Sequence, residues 1–259
     1  MTFSLAAASK SLSRLLPTTS PATYAILTLS CVLYALSLVI TIRMNGGLQA
    51  PAGGLGGIFN FGGINGDVLS SLGASMPMRY NIVQPWRFIM AIFLHGSLLH
   101  IGFNMWVLMD VGPILEELYG SARYLFVYVA TGIAGYILSS ALRPFGSSVG
   151  GSGALLGLIG VLLALTTGRR DASLQMLRGQ LIRWLIYIAV MGLVFSGIDN
   201  YAHLGGCIAG YLLGRSMTPR EPVTAEERKR AYFLGWGTGI LVAASFAVMV
   251  LRYLHPIGL

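Results

Sequence analysis

Four polar groups stand in stretches otherwise suited to hydrocarbon. His100 and Asn104 are four residues apart, so both project from one helical face, with Asn104 about 6 Å farther along the axis. The run Gly150-Gly151-Ser152-Gly153-Ala154 opens one apolar segment, and Tyr201-Ala202-His203-Leu204-Gly205-Gly206 opens another. Ionisable or strongly polar side chains at membrane depth are costly, which makes them functional candidates. A serine, a histidine and further hydrogen-bond donors are the parts for nucleophilic acyl transfer. Ser152 is the candidate nucleophile and His203 the candidate base that takes its proton. His100 and Asn104 are candidate donors to the oxyanion. At a helix start, Ser152 also offers its own backbone N–H among the unpaired donors of the first turn.

Taken singly, each residue has a structural reading. Ser152 could be an N-cap, Asn104 interhelical glue, and His203 a satisfied side chain near a helix end. Gly206, Gly210 and Gly214, at four-residue spacing, make a small-residue face that permits close helix packing. That reading agrees with the chemical one, since close approach of the two helices would bring His203 within reach of Ser152. Other chemistries lack their parts. His95 and His100 do not form HExxH, the serine is not in a G-x-S-x-G elbow, and there is neither a GxxxxGK[ST] loop nor a pair of intramembrane carboxylates. No metal and no cofactor is expected.

The elements that must position these groups follow from composition. Of the 259 residues 55% are hydrophobic and only 10% charged, against roughly a quarter charged in a soluble domain. With a mean hydropathy of +0.72, the chain reads as an all-α polytopic membrane protein, because about 20 apolar residues at 1.5 Å rise cross the hydrocarbon core. Soluble enzymes, disulfide scaffolds and disordered tails are excluded. Cys31 and Cys207 both lie inside apolar runs and build no framework. A formal charge of +8 here signals orientation and contact with membrane lipid rather than with nucleic acid.

Seven spans are expected, at residues 22–42, 98–115, 122–141, 152–167, 180–196, 201–216 and 231–253. With the N-terminus inside, 12 of the 17 basic residues are cytoplasmic: Lys10, Arg14, Arg123, Arg169, Arg170, Arg178, Arg183, Arg215, Arg220, Arg228, Lys229 and Arg230. Arg43, Arg79, Arg87, Arg143 and Arg252 fall outside. The bias predicts N-in and C-out. The second, fourth and sixth spans then all descend from the outer side, which puts His100, Ser152 and His203 near one depth.

The chain divides into a basic cytoplasmic leader (1–21), a six-helix core (22–216) with a long outer loop (44–97), a cytoplasmic linker (217–230) and a seventh helix with a short outer tail (231–259). The outer loop is rich in glycine (Gly-Gly-Leu-Gly-Gly at 53–57) and leads into Trp86-Arg87-Phe88-Ile89-Met90-Ala91-Ile92-Phe93-Leu94-His95. That last stretch is too short to span and is expected to be an interfacial helix.

At these residues the sequence resembles the rhomboid intramembrane serine proteases. The resemblance covers about residues 85–215: Trp86-Arg87, His95, His100-x-x-x-Asn104, the GxSG motif Gly150-Gly151-Ser152-Gly153, and Ala202-His203-x-x-Gly206. It implies a rhomboid-like six-helix bundle plus a C-terminal seventh helix, as in many bacterial members. It also implies a Ser152–His203 dyad without a third acidic member, and an oxyanion hole from the Ser152 N–H, His100 and Asn104. Gly151, Gly153 and Gly206 belong to the motifs, while Trp86, Arg87 and His95 would hold the outer loop. The implied activity is endoproteolysis of transmembrane protein substrates near the outer face, reached sideways past the fifth span and Ser196-Gly197-Ile198-Asp199-Asn200, in a bacterial inner membrane. A non-cleaving client-binding relative and a transporter are the alternatives. Two departures stand out: Leu156 replaces an aromatic that often stacks on the histidine, and a Gly-rich extension spans about 46–75.

Overall fold

The computed structural model describes residues 20–46, 61–168, 171–194 and 197–255. Most of the leader, the glycine run at 53–57, Arg169, Arg170 and Ser196 lie outside the described residues. The described chain is all helix, without a strand. In chain order the helices are α1 (Pro21–Asn45), α2 (Gly66–Ser71), α3 (Met78–Asn81), α4 (Arg87–Phe93), α5 (Leu98–Tyr119), α6 (Ser121–Leu142), α7 (Ser152–Thr166), α8 (Ala172–Val194), α9 (Asn200–Ser216) and α10 (Ala225–Leu254). By length and composition α1, α5, α6, α8 and α10 can each cross a membrane. The remaining two expected spans are shorter, 15 residues in α7 and 17 in α9. At about 22 Å, α7 is shorter than a hydrocarbon core of roughly 30 Å, so one of its ends must stop short of a surface.

A buried carboxylate sets the relation of three helices at the end of the bundle remote from Ser152. Glu116, near the end of α5, accepts the backbone N–H groups of Ala22 (2.9 Å) and Thr23 (2.8 Å), the Thr23 hydroxyl (2.8 Å) and the Ser121 hydroxyl (2.6 Å). It thereby supplies the first turn of α1 with acceptors and a favourable negative charge, and ties in the start of α6. α8 begins at Ala172, eight residues before the expected span, because Asp171 accepts the N–H groups of Ser173 (2.9 Å) and Leu174 (3.2 Å) and caps an earlier start. Only Leu181 of α8 is buried.

The segment expected to form the outer loop departs from expectation in one respect. Residues 87–93 do form a helix, α4, but it is no interfacial helix: Ile89, Met90, Ala91, Ile92 and Phe93 are all in the core. Both faces of the segment are apolar, and its one charge is satisfied inside the fold by neutral hydrogen-bond acceptors. Arg87 donates from Nε to Gln84 (2.9 Å) and from an Nη to the carbonyls of Ser70 (2.8 Å) and Ala74 (3.1 Å), closing the end of α2. Trp86 packs on Gly73, whose φ is +105° and where an added Cβ would stand 2.4 Å from the ring, so no side chain fits. The part of the Gly-rich extension that is described is also packed: Gly62 accepts from the Tyr34 hydroxyl (2.7 Å), and the Ile64 N–H bonds the Gly96 carbonyl (2.9 Å).

The C-terminal helix α10 starts with a capping box of Thr224 and Glu227, reinforced by an Arg220–Glu227 ion pair. It lies along α6, with Gly235 against Ala122, and reaches α4 and α2 of the outer loop.

Candidate active site

Helices α7 and α9 are seated backbone to backbone. A Cβ on Gly206 would stand 1.9 Å from the Gly153 carbonyl oxygen, and one on Gly210 would stand 1.9 Å from that of Gly157. From the other side, a Cβ on Gly160 would stand 2.3 Å from the Cys207 carbonyl oxygen. Helix α6 closes the second flank, where Gly135 lies 2.5 Å from the Ala202 carbonyl by the same measure. With no side chains between the helices, the side chains at their first turns meet.

Ser152, the first residue of α7, and His203, in the first turn of α9, meet there. His203 Nε2 is 2.8 Å from Ser152 Oγ. The other ring nitrogen, Nδ1, is buried and has no partner among the described residues, so no carboxylate orients the imidazole from behind. Leu156, where an aromatic would stack, is buried in the core of α7.

The loop before Ser152 is held from several directions. The Gly150 N–H bonds the Ala91 carbonyl at 2.8 Å, and the Tyr136 hydroxyl bonds the carbonyls of Gly150 (2.8 Å) and Ala91 (3.2 Å). Ser148 and Ser75 exchange both backbone hydrogen bonds at 2.9 Å. Gly150 has φ +126°, and a Cβ on it would come 2.6 Å from His100 Nε2, so the imidazole lies directly over this backbone. The Gly96 N–H points to His100 Nδ1 (3.4 Å), which leaves the proton of a neutral ring on Nε2, facing Gly150. Asn104 donates one amide proton to the His100 carbonyl (2.8 Å). Its Oδ1 and the Tyr128 hydroxyl, both buried without a described partner, border Gly151.

His95 is fully buried beside His100, with ring centroids 5.2 Å apart in an edge-on arrangement, and its Nδ1 is 3.2 Å from the Phe93 carbonyl. Burial and the neighbouring imidazole hold its pKa down at about 3, so the ring is neutral near pH 7. Trp86 and Arg87 lie in the outer-loop packing described above rather than beside Ser152. The structure therefore gathers Ser152, His203, His100 and Asn104, with Gly151, Gly153 and Gly206 in the seam and His95 behind His100.

Sequence reasoning passed over Tyr136, Tyr128 and Asp199. The tyrosines look like ordinary span aromatics, and only the fold reveals their loop contacts. Asp199 was readable as an N-cap four residues before His203, and its Oδ1 does accept the Ala202 N–H at 3.0 Å. Burial opposes its ionisation, but hydrogen bonds from Ser139 and the Ala202 N–H, with Arg143 alongside, hold its carboxyl below the usual range.

Known proteins share this core. The Rhomboid domain family matches residues 83–220, more than half of the chain. Rhomboid protease GluP of Bacillus subtilis (strain 168) is 34% identical over 158 residues, 61% of this chain and 31% of its own. RHOMBOID-like protein 1 of Arabidopsis thaliana is 36% identical over 151 residues, 56% of this chain and 37% of its own. Rhomboid-type serine protease 2 of Emericella nidulans is 39% identical over 150 residues, 56% of this chain and 29% of its own. The match spans about a third of the length of each of these relatives.

Proposed function

The chain belongs to the rhomboid family, an integral multi-pass membrane protein, and we propose that it is an intramembrane serine endopeptidase that cuts transmembrane segments of other proteins near the outer face. The observation that carries this reading is the 2.8 Å approach of His203 Nε2 to Ser152 Oγ. Ser152 attacks the scissile carbonyl while His203 removes its proton. His203 then returns the proton to the leaving amine, and water hydrolyses the acyl-enzyme in a second round of the same chemistry. The Ser152 N–H, the His100 Nε2–H and the free amide proton of Asn104 are the donors to the oxyanion.

A helical substrate must unwind locally before its carbonyl can be attacked, so helix-destabilising residues at the cut favour cleavage. Access beside α8 fits the loose seating of that helix, which meets α5 through an edge-on contact of Trp106 and Trp184 at 5.4 Å. The distribution of basic residues supports a cytoplasmic N-terminus and an external C-terminus, with the site toward the outer side of a bacterial inner membrane.

The test is to incubate purified protein with a fluorophosphonate probe and with a panel of transmembrane substrates, locating label and cut by mass. Label on Ser152 and a cut within a membrane segment support the reading; a protein that takes no label and cuts no substrate overturns it. In the same assay Asn104→Ala is expected to slow cleavage by about 2.7 to 4 kcal/mol of barrier, roughly 10²–10³-fold. A rate equal to wild type would leave Asn104 as packing only.

A further inference from the structure

Among the described residues the dyad has no third member, yet a buried carboxylate stands one helical turn from it. Asp199 is 8% exposed and takes contacts from both sides of the site. On the α9 side, Oδ1 accepts the Ala202 N–H (3.0 Å), and the main-chain carbonyl of the same residue accepts the His203 N–H (3.1 Å). The first hydrogen-bonded turn of α9, the one that carries the base, is thus fastened by Asp199 twice. On the α6 side, Oδ2 accepts the Ser139 hydroxyl at 2.5 Å and pairs with the Arg143 guanidinium at 3.2 Å. Arg143 is the first residue after α6, at the head of the loop that ends in Ser152.

We propose that Asp199 is a positioning residue: its carboxylate clamps the start of α9 to the end of α6 and the Ser152 loop, and so fixes the approach of His203 to Ser152. The clamp rests on the proteolytic reading given above. It is distinct from a charge relay, because the carboxylate is engaged by Ala202, Ser139 and Arg143 while His203 Nδ1 has no described partner.

An N-cap alone would be preserved in Asp199→Asn, since asparagine caps about as well as aspartate. The clamp needs the charge as well, because Arg143 is held by it. The rate of Ser152 labelling by a fluorophosphonate reads the dyad without substrate docking. kcat and KM for a transmembrane substrate, measured well below the melting temperature, complete the comparison. The expected result for Asp199→Ala is a fall in kcat and labelling rate on the order of 10- to 100-fold with KM little changed, as for a misplaced catalytic group. Asp199→Asn should fall between it and wild type. Ser139→Ala should show a smaller loss that does not add to that of Asp199→Ala. A role confined to stability would lower the melting temperature and leave kcat unchanged.

Should Asp199→Ala not fold, Asp199→Asn and Ser139→Ala decide: wild-type kcat and labelling in both overturn the clamp. Wild-type rates in a folded Asp199→Ala do the same. A wild-type protein that neither labels nor cleaves removes the proteolytic reading itself, and the clamp with it.

Discussion

Ser152→Ala is expected to abolish cleavage of a transmembrane reporter and all fluorophosphonate labelling, and His203→Ala to reduce both to near background. The serine variant loses the hydroxyl assigned to form the acyl bond. The histidine variant keeps the hydroxyl but has no base at 2.8 Å to take its proton. General-base assistance is worth about 10²–10⁴-fold, so residual turnover in His203→Ala should not exceed about a hundredth of wild type. Both variants leave the main-chain contacts of the α7–α9 seam in place, so melting temperatures should change little. The measurement is initial cleavage rate in detergent alongside thermal unfolding of each variant. Full turnover by both variants would remove the dyad assignment.

The second large effect is expected far from any reacting atom. Gly210→Ala places a methyl group 1.9 Å from the Gly157 carbonyl oxygen, where ordinary contact begins at 3.4 Å. Backbone cannot yield as a flexible side chain does, so α9 must retreat from α7 by about 1.5 Å. Misplacement of a catalytic group by about 1 Å costs on the order of 10²-fold, and a loss of at least that size in kcat is expected, with a lowered melting temperature. Gly206→Ala should behave in the same way against Gly153. Gly237→Ala in α10 is the control, since a Cβ there meets nothing within 4 Å, and its activity should match wild type. Equal activity of Gly210→Ala and Gly237→Ala would show that the α7–α9 seam does not set the dyad.

Much of the site was legible because polar side chains are conspicuous in apolar runs. Ser152, His203, His100 and Asn104 could be singled out by type, and a shared depth followed from helix direction alone. The glycine spacing 206, 210, 214 likewise announced a close seam. What stayed hidden depends on partners distant in sequence. Arg87 beside Trp86 gave α4 an amphipathic look, and only the Ser70 and Ala74 carbonyls show why that charge can be buried. Glu116 lay just beyond the expected end of the second span, with nothing local to reveal that its acceptors serve Ala22 and Thr23 across 93 to 94 residues. The early start of α8 was masked by its mixed first turns, where periodicity is weak. Asp199 stood in what looked like a short connection, and its cap was readable while its ties to Ser139 and Arg143 were not.

The contrast between α8 and α9 carries a consequence for how this protein can be tuned. α9 is locked to its neighbours through main chain, whereas α8 has a single buried side chain. On the proteolytic reading, bond-breaking power and client selection would then reside in separate staves of the bundle. Substitutions along the loose stave would then be expected to widen or narrow the range of clients while the reactive pair keeps its spacing, so that one scaffold could diverge in appetite without relearning its chemistry.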